Sequence, residues 1–279
     1  MAQYLSKCYI VSKLDKGVDM IKNRVKEKIR QGQLAFGTYV YLEDPAVIEI
    51  IGIAGFDSAF IDMEHSGFDL PLVERMVRAC DLAGICSLVR VPDNNPKTIL
   101  RVLETGAQGI QVPHITGKDD AREAVKAVRY APLGDRGMGG PTRATRFGSI
   151  AMSEHIKTSN SEIILAVMVE DMEAMKQLED IASLDGLDLI AIGPSDLSQA
   201  LGISDPRDPK LRKVIEGVSI TLKKVGKARM TLPLGNASFP VTIAELKRLG
   251  VAYTNCNPAD VSRLLDSYRQ QMKEIQGQL

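Results

Sequence analysis

Two periods alternate in the apolar residues of this sequence. Val18, Ile21, Val25 and Ile29 recur at helical spacing with Lys and Arg between them, which predicts an amphipathic helix ending at Gln31-Gly32. Such an opening helix either plugs one face of a barrel or packs on another subunit. Residues 1–16 show no period and stay unassigned. Further on, short apolar runs predict eight strands at 35–42, 58–62, 87–91, 109–113, 163–169, 187–192, 228–232 and 252–255. Helical spacing fills the intervals at 45–55, 70–84, 96–106, 119–130, 172–184, 209–225 and 243–249, and again from 259 to about 275. Pro45 and Gly55 give one helix proline at its entry and glycine at its exit. A long loop is expected before the fifth strand.

Eight strand–helix units point to one parallel (β/α)8 TIM barrel spanning residues 1–279 as a single domain. The competing doubly wound sheet usually carries a glycine-rich phosphate turn after its first strand. Here that position reads Tyr41-Leu42-Glu43-Asp44-Pro45. The composition, 44% hydrophobic, supplies enough apolar surface for a core of that size.

Charge removes some partners. Thirty-five basic residues balance thirty-five acidic ones, so no electrostatic footprint calls for nucleic acid or an anionic membrane. A net charge near zero favours self-association, hence a homo-oligomer. Cys8, Cys80, Cys86 and Cys256 have neither CxxC spacing nor a nearby His, and read as reduced, buried thiols of a cytoplasmic protein. No apolar run approaches the roughly 18 residues of a membrane span, and the N-terminus lacks a continuous apolar targeting segment.

In such a barrel the residues just past each strand share the face where chemistry sits. The second strand ends in Asp62-Met63-Glu64-His65, the third in Arg90, the fifth in Glu170-Asp171, and the sixth runs through Gly193-Pro194 into Ser195-Asp196. Glu170 and Asp196 come from neighbouring strands with no thiolate beside them. That is a hard oxygen site suited to Mg2+, Mn2+ or Co2+, and a 2-keto acid is the natural chelating substrate. Arg90 would add a fixed positive charge towards an enolate oxygen, and His65 would move protons near neutral pH. The ordinary alternative for one such carboxylate is a helix cap. His155 reads as an unremarkable residue of a polar loop, and His114 stays open between a site role and a structural one. Arg136, Arg143 and Arg146 in the loop 133–149 bind a substrate anion or make an oligomer contact, and Thr142, Arg143 and Phe147 are expected within reach of the aldehyde end of the site.

Several ordered motifs carry a resemblance over roughly residues 25–270. They are Ala54-Gly55-Phe56-Asp57, Ile61-Asp62-Met63-Glu64-His65, Leu88-Val89-Arg90-Val91 and Leu103-Glu104-Thr105-Gly106-Ala107. Ile110-Gln111-Val112-Pro113, Arg136-Gly137-Met138-Gly139, Val169-Glu170 and Ile192-Gly193-Pro194-Ser195-Asp196-Leu197-Ser198 continue the series. The chain resembles the HpcH/HpaI family of class II, metal-dependent 2-keto acid aldolases.

The resemblance implies a lyase that cleaves a 4-hydroxy-2-keto acid to pyruvate and an aldehyde. It implies a homo-oligomer, trimer or hexamer, whose last helix is exchanged between neighbours. Glu170 and Asp196 match the metal ligands, Arg90 the enolate-stabilising arginine, and His65 the catalytic histidine, with Asp62 in support. Glu104 stands where the family often has an Asp paired with that histidine. The Gly193-to-Asp196 turn, through the N–H groups of Ser195 and Asp196, matches the pyruvate carboxylate site. Met168 departs from the family's frequent Gln, and Glu104 from its Asp. Two alternatives stay open. One is oxaloacetate decarboxylation, or a macrophomate-synthase-like reaction, through the same enolate. The other is a non-catalytic keto-acid-binding or scaffold protein.

Overall fold

The computed structural model describes residues 22–170, 172–205 and 208–278. Cys8, Val18, Ile21 and Asp171, like residues 1–16, lie outside the described residues. The chain opens with α1 (Arg24–Arg30), then β1 (Ala35–Val40), α2 (Ala46–Ile53), β2 (Ser58–Asp62), α3 (Leu70–Ala83) and β3 (Cys86–Arg90). It continues through α4 (Pro96–Glu104), β4 (Gly109–Val112), α5 (Lys118–Val128), α6 (Met152–Glu162), β5 (Ile164–Met168), α7 (Met172–Lys176) and α8 (Leu178–Ala182). The last stretch is β6 (Leu189–Ala191), α9 (Pro194–Ala200), α10 (Pro209–Val225), β7 (Arg229–Thr231), α11 (Ile243–Leu249), β8 (Val251–Cys256) and α12 (Asp260–Gln276). The eight strands pair in sequence order, all parallel, and β8 closes on β1. This is the expected (β/α)8 barrel.

Local chemistry sets the helix ends. The Asp69 carboxylate caps α3 by accepting from Leu72 N, and Gly84 ends it in the left-handed region at φ 68°. Asn95 caps α4 and Pro96 opens it. Strands β2 to β6 are buried along their whole length, as parallel strands between a packed interior and a helical coat must be.

Two apolar layers result. One lies between the strands and the outer helices. The other fills the barrel with Phe60, Leu88, Ile164, Leu189 and Tyr253. Val25 of α1 belongs to this inner layer, so the opening helix plugs the face where the strands begin. Two anchors hold it there, of which Asp57 is buried. Arg24 and Lys28 pair with Asp57 at 3.0 and 2.8 Å, and Lys26 pairs with Asp188 at 2.8 Å. Close packing inside the barrel demands glycine at position 37, where a Cβ would lie 2.1 Å from Tyr253 Oη.

Two departures from the sequence-based expectation bear on the site. Part of the long loop before β5 is helix α6, which the sequence Met152-Ser153-Glu154-His155-Ile156 hides because little of it is apolar. His155 is therefore buried rather than set in a loop, with Nε2 facing Tyr130 Oη at 3.2 Å and Ser159 Oγ at 3.3 Å. The single helix expected at 172–184 breaks at Gln177 into α7 and α8.

Candidate active site

Each parallel strand delivers its C-terminal residues to one rim, and five strand ends supply the charged groups there. Asp62 and Arg90, the last residues of β2 and β3, are register partners and bond side by side. Arg90 Nε donates to Asp62 Oδ1 at 2.9 Å, and Nη2 donates to Oδ2. Tyr41 Oη donates to the same Oδ2 at 2.9 Å, and Glu64 N donates to Oδ1 at 3.0 Å. Burial pushes the Asp62 carboxyl up, but the Arg90 hydrogen bonds and charge, with Tyr41, outweigh it and hold the group below the usual carboxylate range. Burial acts against the Arg90 charge too, and Asp62 and Glu64 outweigh it, so the guanidinium is held charged more firmly than usual. The fork is thereby fixed, leaving Nη1 to face Glu64 Oε2 at 2.9 Å and Met168 Sδ at 3.8 Å.

The second group lies across the rim. Glu170 stands two residues past β5, and Asp196 lies in the first turn of α9 behind Gly193-Pro194. A Cβ at Gly193 would sit 3.1 Å from both Glu170 Oε2 and Asp196 Oδ2. The two carboxylates therefore converge on one small space, kept open because residue 193 has no side chain. Burial pushes Glu170 up; the nearby His114 works against this, and the Asp196 and Glu64 charges add to it. Two carboxylates that repel each other around an open space fit a hard divalent cation, with remaining positions for water and a chelating substrate. No cluster of three or more His, Cys, Asp or Glu side chains suited to a metal occurs among the described residues, so the protein would offer two ligands.

His114 joins the two groups. Its Nδ1 lies 2.8 Å from Glu170 Oε1, and its backbone N–H donates to the same oxygen at 3.0 Å. Its Nε2 lies 2.9 Å from Glu64 Oε1. The residue takes φ 50°, a left-handed conformation that costs a non-glycine residue about 1–3 kcal/mol. Asp62, Arg90, Glu64, His114 and Glu170 thus form one continuous chain. The sequence assigns Glu64 no role and leaves His114 open between two; the signal for both is that they follow directly on strand ends.

Beside these charges opens a cleft of about 220 Å3, bordered by His65, Arg90, Gly193, Ser195 and Asp196. His65 is 64% exposed, with Nε2 3.7 Å from Glu64 Oε2. Ser195 and Asp196 stand at the first turn of α9, where backbone N–H groups have no partner within the helix. The remaining wall is uncharged and mixes polar groups, among them Tyr39, Thr231 and Asn255, with apolar ones such as Ile192 and Pro233. Burial pushes the Tyr39 phenol up to about 12, so it stays a neutral hydrogen-bonding group.

Glu104 does not join the site within one chain. It ends α4, just before the start of β4, and so sits at the opposite end of the barrel from His65. There it accepts from Arg136 Nη2 at 3.1 Å. The loop 133–149 lies on that same far face, between the end of α5 and α6. Thr142, Arg143 and Phe147 therefore do not border the aldehyde end of their own chain's cleft. Arg143 bonds Thr105 O at 2.7 Å and pairs with Asp81.

Residues 35–232 match the family model described as HpcH/HpaI aldolase/citrate lyase. A hydroxypyruvate/pyruvate aldolase of Sagittula stellata is 37% identical over 210 residues, covering 75% of this chain and 82% of that protein. A 5-keto-4-deoxy-D-glucarate aldolase of Escherichia coli is 32% identical over 201 residues, covering 72% and 78%. A solved HpcH/HpaI aldolase/citrate lyase family protein of Burkholderia cenocepacia superimposes with a TM-score of 0.80 at 30% identity, covering 91% of this chain and 99% of that one. A match this broad, on a barrel with these strand ends, makes the chain a member of the HpcH/HpaI aldolase/citrate lyase family and a carbon–carbon lyase.

Proposed function

We propose that the protein cleaves a 4-hydroxy-2-keto acid reversibly to pyruvate and an aldehyde at this cleft. The observation that carries the reading is the convergence of the Glu170 and Asp196 carboxylates beside a guanidinium already fixed by Asp62. Glu170 and Asp196 would hold a divalent cation, Mg2+, Mn2+ or Co2+, with Gly193 leaving it room. Bound there, such a cation supplies Lewis acidity towards the keto acid and offsets negative charge on the enolate.

The chain's own groups account for the rest. Ser195 and Asp196 offer backbone N–H groups to the substrate carboxylate. His65 takes the proton of the 4-hydroxyl, directly or through one water, as the C3–C4 bond breaks and its electrons pass to the enolate. Arg90 donates towards the enolate oxygen, and because Asp62 and Tyr41 fix its orientation in advance, little reorganisation opposes the step. A proton delivered to C3 then completes pyruvate, and the aldehyde leaves. The relatives named as aldolases of pyruvate and of a keto-deoxy sugar acid support this direction of chemistry.

The same reading makes the protein a cytoplasmic homo-oligomer built through α12. That helix exposes Leu264, Leu265, Tyr268, Met272 and Ile275, each between 44% and 60%. An apolar stripe of this kind calls for a cover, and a neighbouring copy supplies one.

Incubation with pyruvate, a panel of aldehydes and Mg2+ or Mn2+ tests the activity. Aldol product that disappears with excess EDTA is expected. Product that survives EDTA would overturn the metal role. Decarboxylation of oxaloacetate with no product from any aldehyde would replace the reaction.

A further inference from the structure

The face of the barrel opposite the cleft holds a second cavity, of about 380 Å3, between α3, the start of β4, the loop after α5 and α6. Its walls gather an unusual set of groups. Ten buried side-chain N or O atoms lack a hydrogen-bond partner among the described residues, and five of them belong to residues lining this one cavity. They are Gln108 Nε2, Arg136 Nε and Nη1, His155 Nδ1 and Asp81 Oδ1. A buried polar atom left unpaired costs about 1–3 kcal/mol, so five around one space point to something that pairs them.

Donors outnumber acceptors among the five atoms. Gln108 Nε2 and both Arg136 nitrogens can only donate. The Arg136 side chain is wholly buried, tied by Nη2 to Glu104 and stacked 4.6 Å over the Tyr130 ring, so its other nitrogens are held in place. Arg146 stands on the same wall and makes no ion pair among the described residues, and its φ of 51° holds it in a left-handed turn. Asp81 Oδ1 only accepts, its Oδ2 being already engaged by Arg143, and His155 Nδ1 donates or accepts according to the ring's tautomer.

We propose that this cavity is a binding site for a small oxyanion, a carboxylate or a phosphate, distinct from the catalytic cleft. Gln108 and Arg136 receive the anionic oxygens, and Arg146 draws the ligand in. A hydroxyl on the ligand meets Asp81. The site lies a full strand length from Glu170 and Asp196, on the face that α1 closes, so an anion here does not compete with substrate.

Calorimetric titration of the full chain with inorganic phosphate and, separately, with succinate tests this, in EDTA so that the cleft carboxylates hold no cation. One saturable site per chain is expected for at least one anion, and the better of the two identifies the oxyanion. Gln108→Glu replaces donors by a charge and should weaken binding by at least about tenfold, the loss expected for a hydrogen bond to a charged group. Arg146→Asn, which tolerates the left-handed turn, should weaken it comparably and keeps the test alive if the buried variant fails to fold. Arg90→Ala should leave it unchanged. Loss of binding in Arg90→Ala with retention in Gln108→Glu would move the anion to the cleft and overturn the proposal. So would binding that both Gln108→Glu and Arg146→Asn leave intact, or affinities weaker than about 10 mM for both anions. None of these outcomes depends on aldolase turnover.

Discussion

His114 is tied twice to a single oxygen of Glu170, through Nδ1 at 2.8 Å and through its backbone N–H at 3.0 Å. That leaves Glu170 Oε2 as the oxygen turned towards Asp196. On the proposed reaction His114 selects which oxygen the cation meets. His114→Gly keeps the left-handed backbone and removes the imidazole; His114→Asn keeps both the backbone and one donor. Mn2+ affinity, measured by calorimetry, should fall about ten- to hundredfold in His114→Gly and less in His114→Asn.

Asp62 should make stability acid-sensitive. Its folded carboxyl is held below the ordinary value by Arg90 and Tyr41 against the effect of burial. The stabilisation is therefore present above the unfolded value of about 3.9 and is lost as pH falls through the lower folded value. Asp62→Asn removes the carboxylate that takes two of the Arg90 bonds and leaves Glu64 as its remaining anionic partner, which should cost about 1.5–3 kcal/mol near neutral pH. In urea unfolding the gap between the two proteins should narrow as pH drops below about 4.

Met168 places a thioether 3.8 Å from Arg90 Nη1 and close to Gly193. Met168→Gln would put an amide between the guanidinium and the two carboxylates. Divalent-cation affinity should rise by about tenfold, since polar neighbours of ligands typically change it by that order. An unchanged affinity by titration would mean the thioether is neutral at this position.

The stripe on α12 gives a test of assembly. Leu265→Lys places a charge at its centre, on a helix that packs little against its own barrel. Light scattering should show the assembly shifted towards smaller species, with the barrel's far-UV signal retained.

What was legible in the sequence followed from strand ends. Arg90, Glu170 and Asp196 stand at or just after apolar runs whose burial leaves them nowhere else to point, so their meeting could be read in advance. Glu104 lies away from His65 within one chain because a motif gives order along the chain and not height along the barrel. Its place at the end of a helix already put it on the far face. Helix α6 escaped notice because its buried side is made of His155 and Ser159, whose partner Tyr130 lies on another segment. The His114–Glu64 contact depends on side-chain direction beyond two different strands, which no local spacing encodes.

The cleft is divided down its length. Asp62, Arg90, Glu64, His114, Glu170 and Asp196 all issue from β2 to β6, whereas Tyr39, Thr231 and Asn255 on β1, β7 and β8 carry no charge. On the proposed reaction, mutational drift falls into two independent compartments. Changes on the charged arc strike the bond-breaking step for every substrate alike. Changes on the uncharged arc reshape only what is accepted beside it, so a lineage with this barrel can trade one aldehyde for another without rebuilding its chemistry.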